Sequence, residues 1–461
     1  KKPQVGGGDS TYKIAREITT EQGNRFDMVL LISGLPLINI ELKRADVSLD
    51  EAFAQFKRYY EAGEYIYNFM AFSQMMVVCS PIETRYFATP KSKDKFNPAF
   101  VFHWADRENN PINQWEKVVD NFLMVPMAHQ MVGDYLVIFE AKKPEERCHL
   151  LMRPYQVYAL QAVELAASGR DKGAGGIPHG GFVWHTTGSG KTITSFKTAL
   201  FLVTRMGKDK IVFMVDRREL DSNTSRRFKE YAKYEPVTVD DTAYTAELRR
   251  SMSKNGIVVT TTFKVHNLVK AMVEQGDDQL KDKRIIFIVD EAHRSTMGEM
   301  MKDIKQYFQK NGLFFGFTGT PLFDENKVRG MVKEDSEVIR TTEKLFGPLL
   351  HKYTIDEAIG DRNVLGFHIK YINTGEFISY DNLREQLAEA LVADPLESCT
   401  IEEAEEAVEE AAEAPSPVIE KFLEVPWYTW AVIAALVVAA VVLAAGAKNV
   451  KWDSRRLAMG A

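Results

Sequence analysis

Between residue 153 and about residue 355, short and almost wholly apolar runs alternate with stretches whose apolar residues recur at helical spacing. The runs are FVWH (182–185), IVFMVD (211–216), GIVVTT (256–261), IIFIVD (285–290) and FFGFTGT (314–320). In each, polar residues are confined to the last few positions. Central strands of a parallel sheet look like this, because helices cover both faces and only the C-terminal strand ends open onto loops. The alternation predicts an α/β fold. Nearer the start, two apolar runs in FDMVLLISGLPLINIELKR (26–44) flank the turn SGLP, which predicts a β-hairpin, and a helical stretch follows it. Pairing sets Asp27, at the start of one strand, alongside Glu41 and Lys43 at the end of the other. Residues two apart share a strand face, so Glu41 and Lys43 project together and Leu42 is expected in the core.

Composition narrows the class. With 461 residues, 45% of them hydrophobic and 11% aromatic, the chain has material for about three domains of ~150 residues, and wholesale disorder is excluded. Its three cysteines, Cys79, Cys148 and Cys399, are odd in number and far apart, which supports neither a disulfide framework nor a thiolate zinc site and suits a reducing cytoplasm. The opening KKPQVGGGDS has no apolar signal region, and a flexible leader on a shortened N-terminus is expected. The net charge of −6 is uneven: of 58 basic and 64 acidic residues, 6 and 15 fall after Phe377, leaving 52 and 49 before it. The body is therefore slightly basic, and the acidity belongs to a tail with eight Glu between Glu397 and Glu413. Trp427 to Ala447 is an apolar stretch of 21 residues, long enough for a transmembrane helix across ~30 Å and hence a membrane tether. The cations after it, Lys448, Lys451, Arg455 and Arg456, would orient the body away from the cytoplasm, so an unrelated, fused tail is expected.

Candidate chemistry concentrates at the strand ends. HTTGSGKT (185–192) follows an apolar strand and precedes a helical stretch, a Walker A arrangement that opens on His185 where the strict pattern has Gly. After Thr187, the small residues Gly188, Ser189 and Gly190 let backbone N–H groups wrap a phosphate at a helix N-terminus. Lys191 supplies a point charge to the β- and γ-phosphates of ATP, and Thr192 a hydroxyl to Mg2+. IIFIVD runs into Asp290-Glu291-Ala292-His293, where Asp290 is suited to holding Mg2+ and Glu291 to orienting or deprotonating the attacking water. Upstream, Arg153 and Gln156 precede the loop, and the Gln156 amide is expected to read the adenine edge. Hydroxyls of Thr260, Thr261 and Thr262 suit DNA phosphates. Thr318, Gly319 and Thr320 form a turn that could couple nucleotide state to DNA grip. In the hairpin, Asp27 and Glu41 are a carboxylate pair able to hold Mg2+, with Lys43 to position a water. Gln55 and Tyr59, four apart on the next helix, share a face that can line the same place.

In this order, WHTTGSGKT, VDRREL (215–220), VTTTFK, VDEAHRS and FGFTGTPLF resemble motifs I, Ia, Ib, II and III of superfamily 2 DNA translocases. Their wording is most similar to the motor subunit of type I restriction enzymes. Asp27, Glu41, Lys43 and the Gln55–Tyr59 pair resemble the RecB-like PD-(D/E)xK nucleases that precede the motor in that family. The similarity runs from about Phe26 to about Gly375 and includes TRYFA (84–88) and MRPYQ (152–156). It implies a RecB-like nuclease domain at 1–145, one RecA-like lobe at 146–365, a remnant of a second lobe with an acidic linker at 366–426, the apolar segment 427–447 and a basic tail at 448–461. It further implies ATP-driven translocation on double-stranded DNA, Mg2+-dependent cleavage, methyltransferase and specificity subunits as partners, and a DNA contact for Arg217. The family's upstream acidic residue has no counterpart motif here, and Glu17 and Glu21 are equal substitutes. A second lobe with its arginine finger is not recognisable after Phe377, so slow turnover by this chain alone is expected. Two other readings stay open: a superfamily 2 helicase without nuclease activity, and a non-catalytic ATP- and DNA-binding remnant.

Overall fold

The hairpin forms around the turn Ser33-Gly34, both residues at positive φ (51° and 82°), the backbone twist that a two-residue connection between antiparallel strands requires. The structure, a computed structural model, describes residues 10–92, 95–97, 100–171, 175–215, 218–242, 244–281, 283–292, 297–323 and 341–365, all within one compact unit, Lys1–Gly366. The expected segments 366–426, 427–447 and 448–461, together with Arg217 and His293, lie outside the described residues. Among the described residues no helix is long and apolar enough to cross a membrane.

The N-terminal half holds a five-stranded sheet of β1 (Tyr12–Thr19), β2 (Arg25–Ile32), β3 (Leu35–Leu42), β4 (Met75–Cys79) and β5 (Thr84–Ala88), neighbours in chain order. All pairs are antiparallel except β3 with β4, whose parallel pairing is made possible by the crossover helix α1 (Leu49–Glu61). Ser48 caps α1 by accepting from the Asp50 N–H at 3.2 Å. The helix buries Ala52, Phe56, Tyr59 and Tyr60 against Met76, Val78 and Phe87 on one sheet face. The other face packs Ile38, Met75 and Tyr86 against Trp104 and Phe122, and against residues of the short helices α2 (Trp115–Val118) and α3 (Met127–Gly133). A two-stranded sheet, β6 (Leu136–Phe139) with β7 (Cys148–Leu151), leads into α4 (Pro154–Ser168).

The second half is the parallel sheet. In chain order its elements are β8 (Gly181–His185), α5 (Lys191–Thr204), β9 (Lys210–Val215), α6 (Arg218–Ala232), β10 (Val239–Asp241), α7 (Thr245–Met252), β11 (Gly256–Thr261), α8 (Thr262–Gln275), β12 (Ile285–Asp290), α9 (Met297–Tyr307), β13 (Gly312–Thr318), α10 (Thr342–Phe346), β14 (Leu349–Tyr353) and α11 (Ile355–Gly360). The spatial order is β10-β11-β9-β12-β13-β8-β14, with every pair parallel. Alternate residues of each strand serve opposite layers. Val183, Phe213, Val259, Ile288 and Phe317 pack under α4, α5 and α6, whereas Phe182, Met214, Val258, Phe287 and Phe314 pack under α7 to α10. All five strands expected here form, with ends shifted by no more than two residues. The edge strands β10 and β14 have no apolar run of their own to announce them.

The boundary expected after residue 145 falls in the loop between β6 and β7, and buried packing continues across it. Val157 and Leu160 of α4 and Phe201 of α5 belong to the same core cluster as Ile38, Met75 and Trp104.

Candidate functional site

The order β12-β13-β8 brings three strand ends side by side, and each carries one of the expected motifs. At the end of β8, Gly188 and Gly190 take φ of 83° and 80°, a left-handed backbone that folds Thr186–Gly190 back over the start of α5. Thr187 and Gly188 are exposed, and Lys191 and Thr192 occupy the first turn of α5. The Ser189 hydroxyl is buried and donates to the Thr186 carbonyl at 2.6 Å, so it braces the loop from inside.

Across from the loop, Lys191 Nζ lies 3.9 Å from Glu291 Oε1. Glu291 sits at φ 51°, an uncommon backbone for a non-glycine residue, and its N–H donates to Asp290 Oδ1 at 3.0 Å. Burial first, then the neighbouring Glu291 carboxylate, push Asp290 up to about 6 against the pull of Lys191. A half-desolvated carboxylate with this upward shift fits a divalent cation, which would supply the missing positive charge. Between the two, Gly319 packs against the loop so closely that a Cβ there would lie 3.3 Å from the Thr187 nitrogen. Trp184 Nε1 donates to the Gly319 carbonyl at 3.1 Å, and Thr318 Oγ1 accepts from the Thr320 N–H at 3.1 Å.

The Gln156 amide is buried: Oε1 accepts from the Arg153 N–H at 2.9 Å as part of the α4 cap, and Nε2 donates to the Ser189 carbonyl at 2.9 Å. It braces the phosphate loop, and Oε1 keeps one lone pair uncommitted. One expectation needs correcting. Thr261 and Thr262 are 3% and 2% exposed, and Thr260 is fully buried. Because β11 runs into α8 with no intervening loop, Thr261 Oγ1 becomes the N-cap, accepting from the Lys264 N–H at 3.3 Å, and these hydroxyls do not face a phosphate.

A second polar cluster lies at the far end of the hairpin. Met28 pairs with Ile40, which sets Asp27 beside Glu41, and Asp27 Oδ2 accepts from the Leu42 N–H at 2.9 Å. Lys43 Nζ donates to Glu41 Oε1 at 3.0 Å and to Gln55 Oε1 at 2.8 Å. Gln55 Nε2 donates to the Tyr59 hydroxyl, which itself donates to the Arg25 carbonyl at 2.6 Å. All five expected residues therefore converge. Glu41 is 1% exposed, and its Oε2 has no hydrogen-bond partner. Burial, and after it the Asp27 carboxyl, push Glu41 up to about 7 despite Lys43. An orphaned buried carboxylate oxygen beside a second carboxylate fits a divalent cation. Among the described residues no group of three or more His, Cys, Asp or Glu is gathered for a metal, so the pair would depend on backbone and water for its remaining ligands. Glu17 lies at φ 53° in β1, exposed, with Arg25 at 3.4 Å, and Glu21 is exposed in the following turn. Leu42 corrects another expectation. It is 45% exposed, because it continues the Ile38–Ile40 row past the end of the core on that face, while the face covered by α1 takes Glu41.

Sequence reasoning overlooked the support beneath the loop. Tyr155 is buried, stacks on Tyr353 at 3.6 Å between ring centres, and donates to the Ser189 carbonyl at 2.7 Å. His185 Nε2 faces His351 Nδ1 at 3.1 Å, and burial depresses both imidazoles, His351 to about 4. The unusual His at the head of the loop was the one available signal, and its partner is on an edge strand.

The arrangement is that of an α/β nucleotide-hydrolysing lobe, and the comparisons agree. A model of the SWI2/SNF2 ATPase matches residues 155–403, and one of the type I restriction enzyme R protein N terminus matches residues 7–95. The chain belongs to the SWI2/SNF2 ATPases and, within that class, to the endonuclease subunits of type I restriction enzymes. It is 38% identical over 371 residues to the SauCOLORF180P endonuclease subunit of Staphylococcus aureus (strain COL), covering 79% of this chain and 36% of the relative. Against the SsaAORF53P endonuclease subunit of Staphylococcus saprophyticus the identity is 35% over 388 residues, covering 84% and 38%. Against the C-terminal part of the MpnIIP endonuclease subunit of Mycoplasma pneumoniae it is 32% over 212 residues, covering 44% of this chain and 99% of that one. The chain thus spans a little over a third of the length of its Staphylococcus relatives.

Proposed function

We propose that this chain is the nuclease and first motor lobe of a type I restriction endonuclease subunit, coupling ATP hydrolysis to movement along double-stranded DNA and to Mg2+-dependent cleavage. The observation that carries the reading is Lys191, at the end of a left-handed glycine loop, facing Glu291 beside Asp290 across the end of the intervening strand β13. Loop N–H groups and Lys191 bind the phosphates, Thr192 and Asp290 hold Mg2+, and Glu291 Oε orients the attacking water and accepts its proton. Thr318, Gly319 and Thr320 carry loop movement to β13 through the contact of Gly319 with Thr187. Residues 1–145 are assigned to the nuclease and 146–365 to the RecA-like lobe. In the nuclease cluster Asp27 and Glu41 hold Mg2+, Lys43 positions the attacking water beside Glu41, and Gln55 with Tyr59 fixes the Lys43 ammonium. A divalent cation held there would supply positive charge against the charge that develops on the phosphodiester oxygens. Arg217, one residue before α6, is assigned to the DNA backbone. Target reading is left to the methyltransferase and specificity subunits as partners.

The test is ATP hydrolysis with and without duplex DNA, in the assembled complex, for the unaltered chain and for Lys191→Ala and Glu41→Ala. Lys191→Ala should abolish DNA-stimulated hydrolysis, by roughly 100-fold or more. Glu41→Ala should abolish cleavage and leave hydrolysis unchanged. Cleavage that survives Glu41→Ala would favour a motor without nuclease activity, and DNA-independent rates indistinguishable from Lys191→Ala would favour a binding remnant.

A further inference from the structure

Glu64 is a fully buried carboxylate that neither candidate site uses. It makes no ion pair among the described residues and is held by three side-chain donors: Thr20 Oγ1 at 2.5 Å and Asn24 Nδ2 at 2.8 Å on Oε1, and Asn68 Nδ2 at 3.0 Å on Oε2. Burying a carboxylate without a cation is unfavourable, and each of these charge-assisted bonds offsets part of the penalty. A core that needed only to be filled would take an apolar side chain here. A carboxylate that gathers three donors fixes the segments that carry them.

Those segments flank the nuclease cluster. Thr20 and Asn24 close the turn between β1 and β2, where the Thr20 N–H donates to the Asn24 carbonyl at 2.9 Å. Asn24 runs directly into Arg25, whose carbonyl accepts from the Tyr59 hydroxyl at 2.6 Å, and Asp27 lies two residues further on. On the other side, Glu64 follows α1 after a turn at Gly63, φ 83°, and its own N–H donates to the Tyr59 carbonyl at 3.1 Å. Phe26 packs between the two, 4.7 Å from Tyr59 and 6.1 Å from Tyr65 between ring centres. The Glu64 carboxylate therefore ties the end of the helix that presents Gln55 and Tyr59 to the strand start that presents Asp27. The tie bears on one relation in the cluster and not on another. Asp27 and Glu41 are set side by side by the pairing of β2 with β3, in which Glu64 has no part. The Lys43 ammonium is instead held by Gln55, so its position follows α1.

We propose that Glu64 is a positioning residue of the nuclease cluster: by pinning the β1–β2 turn to the end of α1, it sets where Gln55 holds the Lys43 ammonium relative to the Asp27–Glu41 pair. Its loss moves Lys43 without disturbing the two carboxylates, so cleavage slows at saturating Mg2+ while the Mg2+ requirement stays where it was. The proposal rests on the reading of this cluster as a Mg2+-dependent nuclease.

The experiment measures DNA cleavage by the assembled complex as a function of Mg2+ concentration. Glu64→Ala should lower the cleavage rate at saturating Mg2+ by about tenfold or more, since a catalytic group displaced by an ångström loses much of its effect. The Mg2+ concentration at half-saturation should move by less than about twofold, and DNA-stimulated ATP hydrolysis should be unchanged. Thr20→Val combined with Asn24→Ala removes the far end of the tie and should reproduce the same split. Glu64→Gln keeps an oxygen for Thr20 and Asn24 while the Asn68 amide turns over to accept from the new N–H, and it should restore the rate to within about twofold of the unaltered chain. An unchanged cleavage rate in Glu64→Ala overturns the proposal. So does a rate that falls in step with a rise in the Mg2+ requirement, or a loss of ATP hydrolysis alongside cleavage, either of which would make Glu64 a general support of the fold. Glu41→Ala separates the two readings. Cleavage that survives it sinks the nuclease reading and the tie with it, whereas cleavage lost with Glu41→Ala but kept with Glu64→Ala sinks the tie alone.

Discussion

Glu41 is held in a state that costs the fold stability once it ionises. Its folded-state carboxyl is raised to about 7 from an ordinary value near 4.5, chiefly by burial. For a raised acid, the stability present below the unfolded value is lost as pH rises through the folded one. The window is therefore about pH 4.5 to 7, and the loss above it is at most ~3 kcal/mol. Without divalent cation, Glu41→Gln should match the unaltered chain in melting temperature at pH 5 and exceed it by several degrees at pH 8. Equal melting curves at both pH values would show that Glu41 is already neutralised by Lys43. Gly190 gives a second prediction at this scale. An added Cβ would meet Gln156 Nε2 at 2.6 Å on a backbone at φ 80°, so Gly190→Ala strains the loop and displaces the brace at once. Nucleotide affinity should fall by at least about tenfold with little change in overall stability, since the left-handed strain is only ~1–2 kcal/mol. Retained affinity in a titration with ATP would mean that the Gln156 contact does not shape the loop.

The elements themselves were legible wherever one physical signal dominated. Strands buried on both faces, such as Gly256–Thr261 and Ile285–Asp290, carry polar residues only at their last one or two positions, and their expected bounds coincide with those observed. The hairpin was legible because SGLP marks a turn between two apolar runs, and the convergence of Asp27, Glu41 and Lys43 follows from strand pairing. Legibility failed where burial depends on a partner far along the chain. Leu42 reads as core from the alternation along its strand, yet no described residue covers the end of its row. Thr261 reads as a strand-end hydroxyl, yet the immediate start of α8 turns it into a cap. Tyr353 and His351 meet Tyr155 and His185 because the edge strand β14, near the end of the described chain, docks on β8. No spacing rule links residues 155 and 353.

At the scale of the whole molecule, the two halves are cemented by more than a linker. Phe201 of α5 stacks on Tyr135 with an interplanar angle of 3°, the Tyr86 hydroxyl of β5 donates to the Met152 carbonyl at 3.0 Å, and Arg205 pairs with Asp134. Separating the chain after residue 145 would expose Val157, Leu160 and Phe201 on one side and the Trp104 surface on the other, a loss on the order of several kcal/mol at ~25 cal/mol per Å2 of apolar surface. The described unit should therefore unfold in a single calorimetric transition, and residues 146–366 alone should be markedly less stable than within the chain. Binding couples to the same transition: ATP at about a hundred times its dissociation constant should add ~2.7 kcal/mol to the unfolding free energy. The rise should be seen equally by probes in either half, such as Trp104 and Trp184, because neither half unfolds without the other. Two resolved transitions, with only the later one moved by ATP, would instead mean that the shared core is too weak to bind the halves into one cooperative unit.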